Sequence, residues 1–589
     1  MASALSSLDP APRLSVLKFG GSVLTRESDY RAAGAETYRH VRDGEKVIVI
    51  VSALAGETDA LVSQAQRMGG EASAAMSARL VRLGEYRSAA MMGLEMARLG
   101  VRTEVLDPYE IGLKAEGEPL DADLCDLDAK ALADALDRAD VLVIPGFTAG
   151  HDQYGAVTLG RGGTDLTAVF FAARAGADRV RLIKDVDGVY SEDPAVNPDA
   201  KRYDCLDYEA AMAASRGLIQ PKAIEAARDH DVVIEVACMG AGAATRIARL
   251  PKRAGRLRHR GPMKVALLGC GSVGAGVLDY LRTHPDLFEL NPVLVRNPAK
   301  HAANKQASFT SDMAESLAGD PDLVVELMGG ADMPARVMED ALAKGARVVT
   351  ANKAAVAKHY DTLVGAARPD HLAYSAAVGG GVTVLERIAT LSDLVQIEGV
   401  MNGTANFMLD KLSHGEDFEA VLAEAQRLGF AEADPSADVE GHDAADKLSI
   451  LIREAFGVAR LPGDIPKQSL REVTGEMAQE AAKKGLVYKQ IGRCVLAEGE
   501  VRAAITVEAV PLSHPLAGAR NEENRFLLTE ASGTVHGVYG KGAGRWPTAA
   551  AVFADIMDTR RAWCGDERGS AALPGSHPAA HAEPALARA

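Results

Sequence analysis

The chain has 589 residues, with 65 Lys and Arg against 81 Asp and Glu, a formal net charge of −16. That length exceeds what one hydrophobic core supports, so several domains are expected, and the acidic balance argues against a nucleic-acid or anionic-membrane surface. No apolar run approaches the roughly 20 residues of a membrane helix, the first residues lack the basic start and apolar stretch of a secretory signal, and scattered cysteines without a Cys-x-x-Cys pair read as buried, reduced thiols; we expect a cytoplasmic protein acting on small molecules, with no nucleic-acid or membrane partner.

In chain order, strands are predicted at Ser15–Phe19, Lys46–Val51, Val141–Ile144, Arg179–Ile183 and Val232–Val236. Short β-branched runs between helical patterns predict mostly parallel sheets covered on both faces. The first strand runs into Lys18-Phe19-Gly20-Gly21-Ser22, a cation beside successive backbone N–H groups, which suits phosphate oxygens. No Gly-x-x-x-x-Gly-Lys-Ser/Thr occurs, so this is not a P-loop kinase. Further motifs are 52–59 (Ser-Ala-Leu-Ala-Gly-Glu-Thr-Asp), Gly84-Glu85, 160–165 (Gly-Arg-Gly-Gly-Thr-Asp) and 184–194 (Lys-Asp-Val-Asp-Gly-Val-Tyr-Ser-Glu-Asp-Pro). A guanidinium such as Arg161 suits a carboxylate through paired donors, and Glu85 suits an ammonium.

In this order the motifs resemble aspartate kinases of the amino-acid-kinase fold, over about Leu14–Met239. The resemblance implies ATP with Mg as cofactor, Lys18 beside Gly20 and Gly21 steadying the transferred phosphoryl group, and Asp165 as an acidic catalytic residue. It implies aspartate binding by Thr58, Glu85 and Arg161, and nucleotide binding by Asp185 and Tyr190. The chain departs from the pattern in a shortened glycine loop, in Ala195 where an arginine is usual, and in Gly217 where a lysine is usual. Lys222 or Arg181 are the cations the sequence offers in exchange. Two readings therefore stand: an active aspartate kinase, or a catalytically silent kinase-fold module for binding or dimerisation.

After a kinase-like domain over 14–245, residues 246–262 are basic with proline and glycine, which reads as a solvated linker. Lys264–Leu268 then leads into Gly269-Cys270-Gly271-Ser272-Val273-Gly274, opening a helix that continues through Val277, Leu278 and Leu281. A Gly-x-Gly-x-x-Gly between strand and helix lets the backbone approach a pyrophosphate at the helix N-terminus. Strands at Val293–Val295, Leu323–Leu327 and Arg347–Thr350 complete a Rossmann pattern over 263–395. Arg296 and Lys300 stand where an NAD site usually has an acidic residue; they suit a 2′-phosphate, which favours NADP with NAD still open.

Then come 324–330 (Val-Val-Glu-Leu-Met-Gly-Gly), 350–353 (Thr-Ala-Asn-Lys), 376–381 (Ala-Ala-Val-Gly-Gly-Gly), 399–407 (Gly-Val-Met-Asn-Gly-Thr-Ala-Asn-Phe), 429–435, 438–448 (Asp-Val-Glu-Gly-His-Asp-Ala-Ala-Asp-Lys-Leu) and 542–549. Adding hydride to an aldehyde builds negative charge on oxygen, and Lys353 and Lys447 are the cations available to meet it. Asp443 and Lys447 are spaced i, i+4, which alone reads as a surface ion pair. These ordered motifs, over about Met263–Asp558, resemble homoserine dehydrogenases. The resemblance implies an α+β substrate and dimerisation domain over 396–540 and a return to the nucleotide domain over 541–563, with Gly544 at the cofactor. It implies Glu432, Asp438 and Asp443 in the substrate site, Asp443 and Lys447 as catalytic, and Lys353 beside the reacting carbonyl; the acid is Lys447 or Lys353. It also implies a monovalent cation on the carbonyls of Val378, Gly380 and Val382, although Ser375 stands where a glutamate is usual. Together the halves resemble bifunctional aspartokinase–homoserine dehydrogenases without the ACT regulatory domains between them. We therefore expect a homodimer or higher homo-oligomer, no ACT-type threonine inhibition, and a disordered tail over 564–589.

Overall fold

Alternation of buried β-branched runs with helices builds two separate mostly parallel sheets, one in each half of the chain. The computed structural model describes residues 13–565 apart from 70–72, 195, 198–199, 241–243, 250–260, 306, 369, 429, 432–433, 522 and 543. The chain divides into one unit within 6–259 and another over 260–563.

The first unit contains an eight-stranded sheet in the order Cys205–Leu206, Thr245–Ile247, Ile234–Cys238, Arg179–Lys184, Leu14–Phe19, Lys46–Val51, Val141–Pro145 and Thr103–Val105. All neighbours run parallel except Thr245–Ile247 against Ile234–Cys238. That strand corrects the expected boundary after 245: Thr245 and Ile247 are fully buried and paired, so Arg246 belongs to the sheet and not to a linker. Lys46–Val51 and Val141–Pro145 are buried on both faces, which is why their sequences are almost continuously apolar. Lys18, one residue before the end of its strand, and Lys184, the last of the adjacent parallel strand, both lie at the same C-terminal edge of the sheet, where Phe19 pairs with Ile183. A smaller sheet (Asp121–Asp126, Lys114–Glu118, Thr148–His151, Gly155–Thr158) stands beside it.

In the second unit the parallel sheet runs Phe309–Thr310, Val293–Leu294, Met263–Leu268, Leu323–Glu326, Arg347–Thr350, Leu372–Ala373, with Phe288–Leu290 also paired to Met263–Leu268. A five-stranded antiparallel sheet follows in the order Glu500–Pro511, Leu486–Ala497, Leu394–Val400, Glu523–Glu530, Val535–Lys541. One hydrophobic core joins the two sheets, running from Val324 and Val348 through Leu448 and Ile450 to Ile397, Ile505 and Phe526. The last helix, Arg545–Trp563, returns to the first Rossmann helix, Ser272–Arg282. A Cβ on Gly276 would lie 2.7 Å from that of Ala549, and the rings of Tyr280 and Phe553 stack at 5.0 Å. Among the described residues no helix is long and apolar enough to cross a membrane.

Candidate active sites

The dinucleotide turn of the second unit is built as its glycines require. Gly269 has φ +104, and a Cβ on Gly274 would sit 2.1 Å from its carbonyl oxygen, whereas Gly271 has open space where a side chain would begin. Backbone at Gly271, Ser272 and Val273 is thus approachable at the helix start, which fits a pyrophosphate. Cys270 shares this turn and is only partly buried; of the six free cysteines just Cys494 is buried, a correction to the expectation of buried thiols. Arg296 lies exposed with its guanidinium 3.7 Å from the Cβ position of Gly329, and Lys300 is exposed on the turn Pro298–His301. Gly544, at φ +115, immediately precedes the last helix.

Beyond the C-terminal ends of the Rossmann strands, three charges converge. Lys353 Nζ lies 2.8 Å from Asp443 Oδ1, and Lys447 Nζ lies 2.8 Å from Asp443 Oδ2. Lys353 opens the helix Lys353–Ala366, capped by Asn352, while Asp443 and Lys447 occupy the first turns of His442–Phe456. Lys447 is 8% exposed and also donates to the Met401 carbonyl at 2.6 Å; Lys353 remains 38% exposed. Asn402 completes the arrangement. Its Oδ1 accepts from Ala405 N–H as a helix cap, so its amide NH₂ faces Asp438 at 2.7 Å and Asp443 at 3.0 Å.

These contacts set the charge states. Burial alone would raise the Asp443 carboxyl, but Lys447 and Lys353 outweigh it and hold it well below the usual carboxylate range. Asp443 in turn raises the Lys353 ammonium. Burial, helped by Lys353, lowers Lys447 against the pull of Asp443. Asp438 is raised by burial, and Asp446 is pushed up to about 6 by burial and by Asp443. Glu432 lies outside the described residues, and His442 is exposed.

The loop carrying Val378, Gly380 and Val382 packs against the segment before the last helix: a Cβ on Gly380 would lie 2.8 Å from the Gly542 carbonyl oxygen. Ser375 donates from Oγ to Asp555 at 2.7 Å and from its backbone N–H at 3.0 Å, so the C-terminal helix brings a buried carboxylate to that position. Among the described residues no group of three or more His, Cys, Asp or Glu is disposed to hold a metal ion.

The first unit repeats the motif of one carboxylate between two ammoniums. Lys18 Nζ is 2.7 Å from Asp165 Oδ1 and Lys184 Nζ is 3.0 Å from Asp165 Oδ2, with Asp165 in the first turn of Gly163–Ala175. Burial raises the Asp165 carboxyl but the two lysines outweigh it and lower it; burial and Lys18 lower the Lys184 ammonium. A Cβ on Gly20 would lie 2.5 Å from Lys18 Nζ, so the ammonium rests on the glycine loop that continues into Gly21. Glu85 is buried in the helix Leu83–Leu99, with Thr58 beside it, and accepts weakly from Ala53 N–H at 3.4 Å. Its other oxygen is buried without a hydrogen-bond partner among the described residues, and burial pushes its carboxyl up to about 7. Arg161 is exposed on the turn between Gly160 and Gly162; Asp185 is exposed, and the Tyr190 hydroxyl donates to Asp187 at 2.5 Å.

Ala195 lies outside the described residues. Neither cation offered in exchange for those missing at Ala195 and Gly217 reaches this site: Lys222 pairs with Asp121 and Asp123 at 3.3 and 3.4 Å, and buried Arg181 pairs with Glu235 at 3.0 Å. The residue found there is Lys184, which sequence reasoning passed over, as it passed over Asn402. The Asn402-Gly403 pair at the head of a helical pattern was a cap signal that could have found the latter.

Three stretches of the chain match known protein families. Residues 382–557 match the family model described as homoserine dehydrogenase, 269–374 that of the homoserine dehydrogenase NAD-binding domain, and 13–238 that of the amino acid kinase family. The chain is 36% identical over 319 residues to a homoserine dehydrogenase of Corynebacterium glutamicum, taking in 50% of this chain and 72% of that one. It is 35% identical over 316 residues to the Synechocystis sp. homoserine dehydrogenase, covering 50% and 73%. Among solved structures, a homoserine dehydrogenase from Thiobacillus denitrificans aligns at 33% identity with a TM-score of 0.49, covering 52% of this chain and 74% of that one.

Proposed function

We propose, for a chain that belongs to the homoserine dehydrogenase family and carries an amino-acid-kinase domain ahead of it, that the second unit reduces L-aspartate 4-semialdehyde to L-homoserine and the first phosphorylates the side chain of L-aspartate. The observation that carries the first reaction is the Lys353–Asp443–Lys447 trio at the mouth of the dinucleotide fold. A nicotinamide cofactor supplies the hydride when bound at Gly269–Gly274. The aldehyde oxygen, as it becomes an alkoxide, is met by the two ammoniums, and Lys447 gives it the proton. Burial has made that ammonium the more acidic of the two, and Asp443 and Met401 hold it in place. Asp438, fixed by Asn402, receives the substrate ammonium, with Glu432 as a further candidate. Arg296 and Lys300 favour NADP through its 2′-phosphate. Lys447→Ala should lower homoserine oxidation by about 10³-fold or more while leaving NADPH binding, followed by fluorescence, within threefold or so of wild type; unchanged turnover would overturn the assignment.

In the first unit, Lys18, Gly20 and Gly21 face the phosphates of ATP with Mg, and Asp185 and Tyr190 lie on the nucleotide side. Glu85 offers its unpartnered oxygen to the aspartate ammonium, with Thr58 beside it, and Arg161 takes a carboxylate. Aspartyl phosphate formed from MgATP is trapped by hydroxylamine; a protein that oxidises homoserine yet yields no hydroxamate would instead make the first unit a silent module. The proposal includes action in the cytoplasm as a homodimer or larger homo-oligomer, measurable by light scattering. It includes a monovalent cation on the carbonyls of Val378, Gly380 and Val382, which kinetics unaltered by exchanging sodium and potassium for a tetraalkylammonium ion would remove.

A further inference from the structure

The ionic trio of the first unit holds more positive charge than its own residues neutralise. Lys18, Lys184 and Asp165 have side chains 10% exposed or less, and the two ammoniums share one carboxylate, leaving one positive charge uncompensated within the trio. An ammonium has three N–H donors. Among the described residues Asp165 is the acceptor for both lysines, and neither has another hydrogen-bond acceptor there. The nearest carboxylate in sequence, Asp185, acts on Lys184 from an exposed position, where water screens it. Unpaired charge in so buried a place is costly, and the cost falls when an anion arrives. The glycine loop on which Lys18 Nζ rests borders the same spot. Lys184 reaches it from the end of the neighbouring strand, on the same sheet edge as Lys18.

We infer that Lys184 is a catalytic residue: with Lys18 it grips the transferred phosphoryl group, and Asp165 fixes the separation of the two ammoniums. This rests on the reading of the first unit as an aspartate kinase. A β-carboxylate oxygen of aspartate attacks the γ-phosphorus, the bond from phosphorus to the β,γ-bridging oxygen breaks, and ADP leaves with that electron pair. No proton need move, so both lysines stay charged and hold the peripheral phosphoryl oxygens throughout. Lys184 thereby supplies a second cation that neither Lys222 nor Arg181 is placed to give.

The test uses the full-length protein and the variants Lys184→Met and Lys184→Arg. Hydroxylamine trapping gives turnover, and calorimetry gives affinity for MgADP and for MgAMPPNP, which retains a γ-phosphoryl group. Lys184→Met should lower kcat by about 100-fold or more, with the aspartate KM within about threefold. It should weaken MgAMPPNP by roughly tenfold while sparing MgADP, and Lys184→Arg should recover much of both. Wild-type turnover in Lys184→Met overturns the inference and leaves the kinase reading standing. Equal weakening of both nucleotides, with a lowered unfolding temperature, overturns it in favour of a structural ion pair. If wild type forms no hydroxamate, the kinase reading fails on its own. Nucleotide binding then still decides the contact: selective loss of MgAMPPNP upholds it and no selective loss overturns it.

Discussion

Each unit sets a carboxylate between two ammoniums at the C-terminal ends of parallel strands, and the surroundings of the two trios differ. Around Asp165 the two lysines and the carboxylate are all buried and sum to one positive charge, and the further carboxylate acting on Lys184, Asp185, stands exposed to solvent. Around Asp443, Lys353 stands 38% exposed, Lys447 also donates to a carbonyl, and Asp438 and Asp446 add two carboxyls, both raised first by burial and then by Asp443. The first balance suits a phosphoryl group, which brings several negative charges at once. The second suits an amino acid, which brings an ammonium for the carboxylates and a carbonyl oxygen that turns negative only during reaction. The same three side-chain types are thus directed to different chemistry by the local charge surplus.

Several substitutions would sharpen or break this contrast. Of these the largest effect is expected from Asn402→Ala, which removes the amide shared by Asp438 and Asp443. Homoserine oxidation should fall roughly 10–100-fold, the range found when a supporting hydrogen bond of a polar site is removed, and its pH profile should shift, a change that mere loss of packing would not produce. Next is the pH dependence of the first unit. Glu85 must be ionised to receive an ammonium, and its carboxyl titrates at about 7, so protonation weakens binding as pH falls. The aspartate KM should be about tenfold higher at pH 6 than at pH 8, and Glu85→Gln should flatten that dependence; a flat wild-type profile would remove Glu85 from the substrate site. For stability the sign is opposite. Because this carboxyl is raised on folding, its contribution is present below the unfolded value near 4.5 and is lost as pH rises through about 7. A smaller effect is expected from Arg296→Ala, which should reduce the preference for NADPH over NADH by about tenfold; an unchanged ratio would leave the preference to other residues. Smallest of all, threonine should leave both activities without cooperative inhibition, and a sigmoidal titration would contradict that expectation.

Much of the fold was legible in sequence because buried parallel strands are written as continuous apolar runs; Lys46–Val51 and Arg347–Thr350 occur with the expected limits. The small sheet of the first unit was not, because Asp121–Asp126 carries three aspartates, a residue depleted in strands and favoured in turns. The long hairpin Leu486–Pro511 was missed for a related reason: its turn, Glu498-Gly499, adopts positive φ at both residues without the usual Asn-Gly or Asp-Gly signature. Asp443 and Lys447 could be paired from their spacing along one helix. Lys184 could not be placed beside Lys18, since that depends on which strand lies next to Leu14–Phe19, and strand order is not written in any local pattern.

The close fit of Gly276 against Ala549 has a consequence for how the molecule is made. The segments of the first unit are contiguous, so its sheet can close while the ribosome is still adding the rest. The dinucleotide fold begins near Met263 but takes one of its covering helices from 545–563, and must wait for nearly three hundred further residues to emerge. During that interval the face of Ser272–Arg282 that carries Tyr280 has no cover from Phe553. The nascent second unit therefore stays incomplete longest, and a release of the chain short of the last helix would yield a closed first unit tethered to an unfinished second one.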